Sequence, residues 1–265
     1  MFSNTSRTLQ RPPKGLQVEK TKTQTALVRT RIPGFDYVIN PYVGCAFGCR
    51  FCYVRKFLDF WGIDRPWGSF VYAKVNLPDR LRREVPRRRW PARILMSSAT
   101  DPYLPQERHF RLTRRVLEIL QQVPVDLQIL TRSDLVLRDV DLLTRFPHLR
   151  VGFSLSTNRP EIKRRLEPRS PAIHRRIRAL QALKQQGIRT YVFLAPLLPL
   201  DIESLLRDVV PYVDEILLDF MNYPGMNRRI LKQAGLEFVL SPEWIWKTVE
   251  ELEQRVRPYT PLRIV

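Results

Sequence analysis

Short apolar runs alternate with amphipathic charged runs along most of the chain, from about residue 36 onward. Most of the apolar runs lack polar alternation, which indicates strands of a parallel sheet that are buried on both faces. The predicted strands cover residues 37–43, 70–75, 92–97, 126–131, 150–155, 189–194 and 215–219. The amphipathic runs predict helices over residues 77–84, 112–122, 139–146, 172–186, 205–210 and 242–256. Gly187 follows the fourth of these helices and is a typical helix stop.

This alternation of strands and helices predicts an α/β fold with right-handed crossovers, and about six strand–helix units fit the chain. Both a doubly wound sheet and a closed or partial barrel agree with the pattern. The chain has only 10 glycines and no glycine-rich phosphate loop, which weakens the case for a nucleotide-binding doubly wound fold.

Polar and cysteine-containing motifs follow several of the predicted strands directly. They are the cysteine segment 45–52 and the segments 97–101, 131–133 and 154–157. In barrels of parallel strands the working residues lie on loops at the carboxyl ends of the strands. We therefore expect these motifs to meet at one edge of the sheet.

Composition narrows the class of protein further. With 265 residues and 44% apolar residues the chain can bury a core, which excludes a chain disordered throughout. The longest apolar stretch, residues 191–200, is about half the length that a membrane span needs. The polar N-terminus resembles no secretory signal, and we expect a cytoplasmic protein with no membrane partner. The predicted domains are a basic N-terminal arm, residues 1–35, and a core domain with a C-terminal helix, residues 36–265.

The net charge of +19 comes almost entirely from arginine. Cations concentrate in four segments, residues 1–35, 80–89, 107–115 and 163–178. Because the guanidinium fork binds phosphate oxygens bidentately, these Arg-rich segments make DNA or RNA a candidate partner. The alternative is a solvated arginine surface with no polyanion partner, and charge by itself does not separate the two.

Three cysteines, Cys45, Cys49 and Cys52, fall within eight residues, and the chain has no others. Three thiolates at this C-x3-C-x2-C spacing can hold three corners of an iron–sulfur cube and leave the fourth iron open for a substrate or cofactor. A zinc site completed by a histidine is the main alternative, and a group of inert cysteines is another. The candidate zinc-ligating histidines are His109, His148 and His174.

The cysteine spacing, with Phe51 directly before the third cysteine, resembles the signature of radical S-adenosylmethionine (radical SAM) enzymes. Segments 40–45, 52–55, 100–107, 130–139, 154–157 and 165–168 resemble, in order, those of the spore photoproduct lyase-like group. The resemblance implies a partial (β/α)6 TIM-type barrel and a [4Fe-4S] cluster on the three cysteines. It also implies that S-adenosylmethionine is chelated by the open iron and cleaved, by an electron from an external reductant, to a 5′-deoxyadenosyl radical.

The resemblance also assigns roles to residues that bind the methionyl end of the cofactor. Ser98, Thr100 and Asp101 would receive its ammonium group, Arg132 would pair with its carboxylate, and Ser154 would add a hydrogen bond. Asp101 has an alternative role as a turn former or helix cap, since it precedes a proline. Ser154 has an alternative as an ordinary strand residue.

The aromatic positions carry the remaining roles. Phe51 would pack against adenine and Tyr53 would lie near the reacting ribose carbon, although either ring can be simple packing. The lesion-repairing lyase uses a cysteine as hydrogen-atom donor at the position of Ser98, and a serine hydroxyl is a far poorer donor. The thiol step of that mechanism is therefore not expected here. Among the residues that match the motifs of the family, Tyr53 is the one that could donate a hydrogen atom instead.

Three hypotheses follow from the sequence. The leading one is a radical SAM enzyme of unassigned substrate, with nucleic acid as a candidate. The second is a radical SAM enzyme acting on a protein or a small metabolite. The third is a non-catalytic metal-binding protein that binds nucleic acid.

Overall fold

The computed structural model describes residues 15–265, and alternating strands and helices fill most of that range. The strands are β1 (Gln17–Thr21), β2 (Val28–Arg29), β3 (Tyr37–Ile39), β4 (Tyr42–Gly44), β5 (Phe70–Lys74), β6 (Ala92–Met96), β7 (Val125–Thr131), β8 (His148–Ser154), β9 (Arg189–Leu194), β10 (Glu215–Leu218) and β11 (Leu262–Ile264). The helices are α1 (Leu77–Glu84), α2 (Glu107–Phe110), α3 (Leu112–Leu120), α4 (Val140–Leu143), α5 (Pro160–Leu166), α6 (Ile173–Gln185), α7 (Ile202–Asp208), α8 (Pro224–Gln233) and α9 (Pro242–Arg255).

The main sheet has the strand order β11-β10-β9-β8-β7-β6-β3-β2. Every neighbouring pair from β3 to β11 is parallel, and β2 adds an antiparallel edge. The spatial order follows the chain order without the reversal that defines a doubly wound sheet. Among the described strands the sheet does not close, since β2 and β11 are its edges. This is the partial barrel expected from the sequence. Its six parallel strands are β3, β6, β7, β8, β9 and β10, and β11 adds a seventh.

The sheet is parallel because its strands are apolar on both faces. In β6, for example, the consecutive apolar residues Ile94, Leu95 and Met96 are all buried, and Val151 of β8 and Val192 of β9 are buried in the main core. Alternate side chains point to opposite faces, so a strand whose consecutive residues are buried must be covered on both sides. No helix among residues 15–265 is long and apolar enough to cross a bilayer.

The predicted helix bounds match closely where the amphipathic pattern is uninterrupted. Helix α1 has the predicted bounds, α6 is shorter than predicted by one residue at each end, and α9 is shorter by one residue at its C-terminal end. Helix α7 begins three residues earlier than expected, because the side chain of Asp201 caps it by accepting a hydrogen bond from the amide of Ser204 at 3.0 Å.

The segment predicted as one strand over residues 37–43 is two strands in two sheets. Strand β3 lies in the main sheet, whereas β4 pairs antiparallel with β5 in a three-stranded sheet of order β1-β5-β4. The break falls at Asn40 and Pro41, and proline has no amide hydrogen to donate to a ladder. This small sheet carries the cysteine segment, which begins directly after β4.

The first fourteen residues of the predicted N-terminal arm lie outside the described residues. Within the rest of that arm, β1 pairs parallel with all five residues of β5. Ala26 and Leu27 are buried in the main core, and their amides donate to the carboxylate of Glu84 at 2.8 and 3.0 Å. The domain boundary between residues 35 and 36 stays a prediction.

Candidate active site

The cysteine loop runs from Cys45 to Cys52 at the carboxyl edge of the main sheet. Thr100, in the loop after β6, donates its hydroxyl hydrogen to the carbonyl oxygen of Gly44 at 2.6 Å, which attaches the loop to that edge. Cys45 and Cys49 are buried and Cys52 is partly buried, and none is in a disulfide. All three thiols are therefore free to bind iron.

Two glycines let the backbone of the cysteine loop pass where a side chain would not fit. Gly44 has φ +79°, and a Cβ there would lie 2.5 Å from the carbonyl oxygen of Phe70. Gly48 has φ +54°, and a Cβ there would lie 2.4 Å from Nη2 of Arg169 and 2.9 Å from Cα of Gly68. Both positions require glycine for conformation and for space.

Burial controls the protonation of the thiols. It raises the pKa of Cys45 to about 12, with the charges of Asp101 and Cys52 adding to the rise. Burial also raises the pKa of Cys49 and of Cys52, against the opposing charge of Arg132. Metal ions bind cysteine as the thiolate, so a metal bound here would displace thiol protons, and acid would oppose its binding.

Arg132 follows β7 and lies beside the cysteines. Its guanidinium carbon is 6.0 Å from the ring centroid of Phe51, and its Nε is 3.5 Å from Oε1 of Glu167. Neither that Nε nor that Oε1 has a hydrogen-bond partner among the described residues, although both atoms are buried. A buried donor without an acceptor fits a carboxylate ligand.

Glu167 anchors a buried ion pair behind Arg132. Its Oε2 accepts hydrogen bonds from Nη2 of Arg176 at 2.6 Å and from the hydroxyl of Ser170 at 3.0 Å. Burial by itself would raise the pKa of Glu167, but Arg176 and Arg132 lower it to about 2. Glu167 is therefore ionised at neutral pH and holds Arg132 beside the cysteines.

Asp101 lies at this edge but its carboxylate is already occupied. Oδ1 accepts from the amide of Tyr103 at 2.9 Å and from the hydroxyl of Thr131 at 2.7 Å, and Oδ2 accepts from the amide of Arg132 at 2.7 Å. These bonds join the loop after β6 to the loop after β7. Burial raises the pKa of Asp101, while the three donors and Arg132 oppose the rise.

Ser98 and Thr100 lie with Asp101 on the loop after β6. Asn40 shapes this loop, since its Oδ1 accepts hydrogen bonds from the amides of Ser98 and Ala99 at 3.0 Å each. Before them, Ser97 adopts the left-handed conformation with φ +67°, and its buried hydroxyl has no partner among the described residues. A non-glycine residue held in this region is strained, which is typical of functional loops.

Phe51 and Tyr53 flank the third cysteine on opposite sides. Phe51 is buried, whereas Tyr53 is 36% exposed and donates its hydroxyl hydrogen to the carbonyl oxygen of Ser98 at 2.7 Å. Burial, together with the charges of Cys52 and Tyr223, raises the pKa of Tyr53 to about 12. Tyr53 therefore keeps its O–H hydrogen at neutral pH.

Ser154 ends β8 at the same edge and is buried. Its carbonyl oxygen accepts a hydrogen bond from Nη1 of Arg176 at 3.0 Å. The fold thus brings every sequence-predicted site residue to the carboxyl edge of the sheet.

Asn227 is a residue of this region that the sequence did not indicate. It lies on α8, is fully buried, and donates its amide hydrogens to the carbonyl oxygens of Phe51 at 3.3 Å and Asn222 at 3.2 Å. Its Oδ1 accepts from Nη2 of Arg55 at 2.7 Å, across 172 residues of chain. No local pattern could have revealed it, because its partners lie far away in sequence.

The histidines considered for a zinc site are dispersed. His148 begins β8 at the amino edge of the sheet, opposite the cysteine loop, while His109 and His174 lie on helices α2 and α6. Among residues 15–265, no three His, Cys, Asp or Glu side chains are grouped to hold a single metal ion. A four-iron cube differs in this respect, since each cysteine binds a different iron.

The family model that describes sequences of the radical SAM superfamily matches residues 39–209 of this chain. An uncharacterized protein of Methanocaldococcus jannaschii is 37% identical over 209 residues, 78% of this chain and 78% of that one. The chain belongs to the radical SAM superfamily. A radical SAM Nalpha-GlyT isomerase of Pseudomonas phage M6 is 29% identical over 224 residues, 83% of this chain and 43% of that one.

The radical SAM fold is also seen in solved structures. A spore photoproduct lyase variant bound to dinucleoside spore photoproduct superimposes with a TM-score of 0.68 at 14% identity, over 94% of this chain and 82% of that one. The partial barrel is therefore of the radical SAM type, and the chain is a radical SAM enzyme.

The residues present fit the two groups that radical SAM enzymes use. Three unpaired cysteines on one loop supply three thiolates and leave one iron of a [4Fe-4S] cluster open. The buried Nε of Arg132, beside them, is ion-paired with Glu167 but makes no hydrogen bond, and it would supply a donor for the carboxylate of S-adenosylmethionine.

Proposed function

We propose that the chain binds a [4Fe-4S] cluster through Cys45, Cys49 and Cys52 and cleaves S-adenosylmethionine reductively to act on nucleic acid. The observation that carries the proposal is the set of three free thiols on one loop at the carboxyl edge of a radical SAM fold. When bound, the two groups supply a 5′-deoxyadenosyl radical, which abstracts a hydrogen atom from the substrate. The electron comes from an external reductant, and the cytoplasm is the proposed compartment.

The chain's own residues position the cofactor in this proposal. Arg132 binds its carboxylate, and Glu167 holds Arg132 in place. Ser98, Thr100 and Ser154 line the ammonium end. Because the carboxylate of Asp101 already accepts three hydrogen bonds, we assign Asp101 the role of ordering this loop and of supplying nearby negative charge.

Phe51 and Tyr53 have the aromatic roles. Phe51 packs against adenine from within the core. Tyr53 lies at the solvent side of the loop with its hydroxyl bonded to the carbonyl of Ser98, where it would donate a hydrogen atom to a substrate radical. The tyrosyl radical left behind would take an electron from the external reductant and a proton from solvent. With serine in place of a thiol at position 98, Tyr53 is the donor that the geometry favours.

Two findings support a nucleic-acid substrate. The chain carries a net charge of +19, which favours a polyanion. Among proteins of similar fold, a spore photoproduct lyase binds a dinucleoside. Part of the arginine excess is structural, since Arg176 is buried against Glu167 and Arg175 pairs with Asp134. The charge that supports the proposal is therefore the exposed part of this arginine excess, and not the whole of the +19.

Anaerobic reconstitution tests the proposal. The chain is loaded with iron and sulfide, reduced with dithionite and given S-adenosylmethionine, and 5′-deoxyadenosine is measured by chromatography. We expect about four irons per chain and formation of 5′-deoxyadenosine. Cys49→Ala is the matched control and should lose both. Full iron loading without 5′-deoxyadenosine above the level of that control would contradict the proposal, as would zinc in place of iron.

A further inference from the structure

Four aromatic side chains form a continuous surface that leads from Tyr53 into solvent. Tyr53, Phe57 and Trp61 are spaced four residues apart, with ring-centroid distances of 6.3 Å from Tyr53 to Phe57 and 6.0 Å from Phe57 to Trp61. Tyr223, at the start of α8, packs edge-on against Phe57 at 6.2 Å. We call these four residues the aromatic ladder.

The ladder is exposed to an extent that core packing does not explain. Trp61 is 41% and Tyr223 37% exposed, and the adjacent Phe60 is 85% exposed. Several large apolar side chains exposed together are typical of an interaction site. Tyr223 is also held in the left-handed conformation with φ +53°, a strained arrangement that persists at functional positions.

Positive charge surrounds the ladder. Residues 50–65 and 221–229 together contain six Lys or Arg against two acidic residues, Asp59 and Asp64. The Nζ of Lys56 lies 4.0 Å from the ring centroid of Tyr223, and Lys56 and Arg229 are exposed. A row of aromatic faces bordered by cations matches the chemistry of an unpaired nucleic-acid strand, in which bases stack on rings and phosphates meet cations.

We propose that the aromatic ladder binds single-stranded nucleic acid by stacking unpaired bases, and so leads the substrate base to Tyr53. This inference rests on the proposed function, since it names the form of its substrate. In a duplex both faces of each base are covered by stacking, so a ladder of rings selects strands that are already open or locally opened. The hydrogen bond from the Tyr53 hydroxyl to the carbonyl oxygen of Ser98 joins the ladder to the carboxyl edge of the main sheet, where the proposed cofactor site lies.

Binding of a short fluorescein-labelled oligonucleotide to the anaerobically reconstituted chain tests the inference by fluorescence anisotropy. We expect the single strand to bind at least about tenfold more tightly than the same sequence as a duplex. Trp61→Ala should weaken single-strand binding about tenfold, the size typical of a lost base–aromatic stack. Phe60 lies next to Trp61 in the chain, at the edge of the ladder, and is too exposed to support the fold, so Phe60→Ala should weaken binding several-fold. Trp61→Ala and Phe60→Ala are together called the ladder variants.

Tyr259→Ala is the matched control, because Tyr259 is 73% exposed and lies just before β11 at the amino edge of the sheet. It should bind as the wild type does. Equal binding of single strand and duplex, unchanged binding by both ladder variants, or binding of unstructured peptide but not of oligonucleotide would each overturn the inference. Iron content and circular dichroism check that the variants are folded.

The production of 5′-deoxyadenosine by the wild type without oligonucleotide is measured separately. If that assay fails while single strands bind through the ladder, the proposed function is wrong and the ladder's ligand class stands. If it succeeds while the ladder variants bind normally, the inference is wrong and the proposed function stands.

Discussion

Glu167 shows how one buried carboxylate organises the candidate site. Its two oxygens face different guanidinium groups, Oε2 bonding Arg176 at 2.6 Å and Oε1 lying 3.5 Å from Nε of Arg132. Removing one member of such a buried set costs about 3–5 kcal/mol, because it leaves uncompensated charge in a low-dielectric interior. The position of Arg132 beside the cysteines thus depends on a residue that is not itself a predicted iron ligand.

The low pKa of Glu167 predicts a pH dependence of stability. A carboxylate whose pKa falls from 4.5 in the unfolded chain to about 2 in the folded chain stabilises the fold above pH 4.5. That contribution, about 3 kcal/mol, is lost as the pH falls from 4.5 towards 2. Urea unfolding of the wild type and of Glu167→Gln should therefore show a stability gap that is constant from pH 7 to pH 5 and narrows in acid.

Glu161→Gln is the control for this experiment, since Glu161 lies exposed in the first turn of α5, the helix that ends directly before Glu167. It should follow the wild type within about 0.5 kcal/mol, as is usual for surface substitutions. A difference in unfolding free energy between the wild type and Glu167→Gln that stays constant down to pH 3 would contradict the low pKa of Glu167.

The three-stranded sheet and the cysteine loop act together as one element. Strand β4 ends at Gly44, and the loop then turns sharply enough for Gly48 to meet Gly68, which lies just before β5. The guanidinium of Arg169, two residues beyond Glu167, covers both glycines. The loop is therefore held on one side by β5 and on the other by the segment that follows α5.

Gly48→Ala should prevent this closure. The new methyl group would require the backbone to move, since Gly68 Cα lies only 2.9 Å from its position, and its φ of +54° adds strain. We expect a loss of unfolding free energy well beyond the ~1–2 kcal/mol that a left-handed alanine costs, and an iron content below half of the wild-type value.

Gly62→Ala separates the cost of a left-handed backbone conformation from the cost of a steric clash. Gly62 has φ +66° but nothing within 4 Å of its hypothetical Cβ, so only the conformational cost applies. This variant should lose about 1–2 kcal/mol and keep its iron. Equal stability and iron content for the two variants, measured by urea unfolding and iron analysis, would show that the close approach at Gly48 is not needed.

At the scale of the whole molecule, the positive charge is divided between the two edges of the sheet. Arg87 and Arg89 are exposed and lead directly into the amino end of β6, away from the cysteine loop. Lys56, over the ring of Tyr223, is exposed, and so is Arg229, six residues after Tyr223 on α8. The Arg-rich segment 80–89 therefore lies away from the aromatic ladder, and a nucleic-acid contact through this segment stays a prediction.

This division predicts a salt dependence that differs between the two edges. Each phosphate contact on a single strand contributes about −0.7 to the slope of log affinity against log salt. The double variant Lys56→Gln and Arg229→Gln should therefore reduce the slope by about 1.4, whereas Arg87→Gln with Arg89→Gln should leave it unchanged. Anisotropy titrations over a range of salt concentrations measure both. The reverse pattern would place the nucleic acid on the amino edge.

Local pattern was sufficient for much of the fold and of the site. Apolar runs buried on both faces predicted six of the seven strands that are parallel in the main sheet, and amphipathic runs predicted α1, α6 and α9 nearly to the residue. It failed at Asn40 and Pro41, where one apolar run is divided between two sheets. It also missed β11, whose pairing with β10 is a contact between distant segments.

The sequence by itself determined the superfamily and the three cysteines, because both depend on residue types at short, fixed spacings. The tertiary structure decided what surrounds them. It consumes the carboxylate of Asp101 in three internal hydrogen bonds, leaves the Nε of Arg132 without one, and brings Asn227 to the carbonyl of Phe51. The physical reason is that burial and hydrogen bonding depend on neighbours in space, and in this site those neighbours come from segments far apart in the chain.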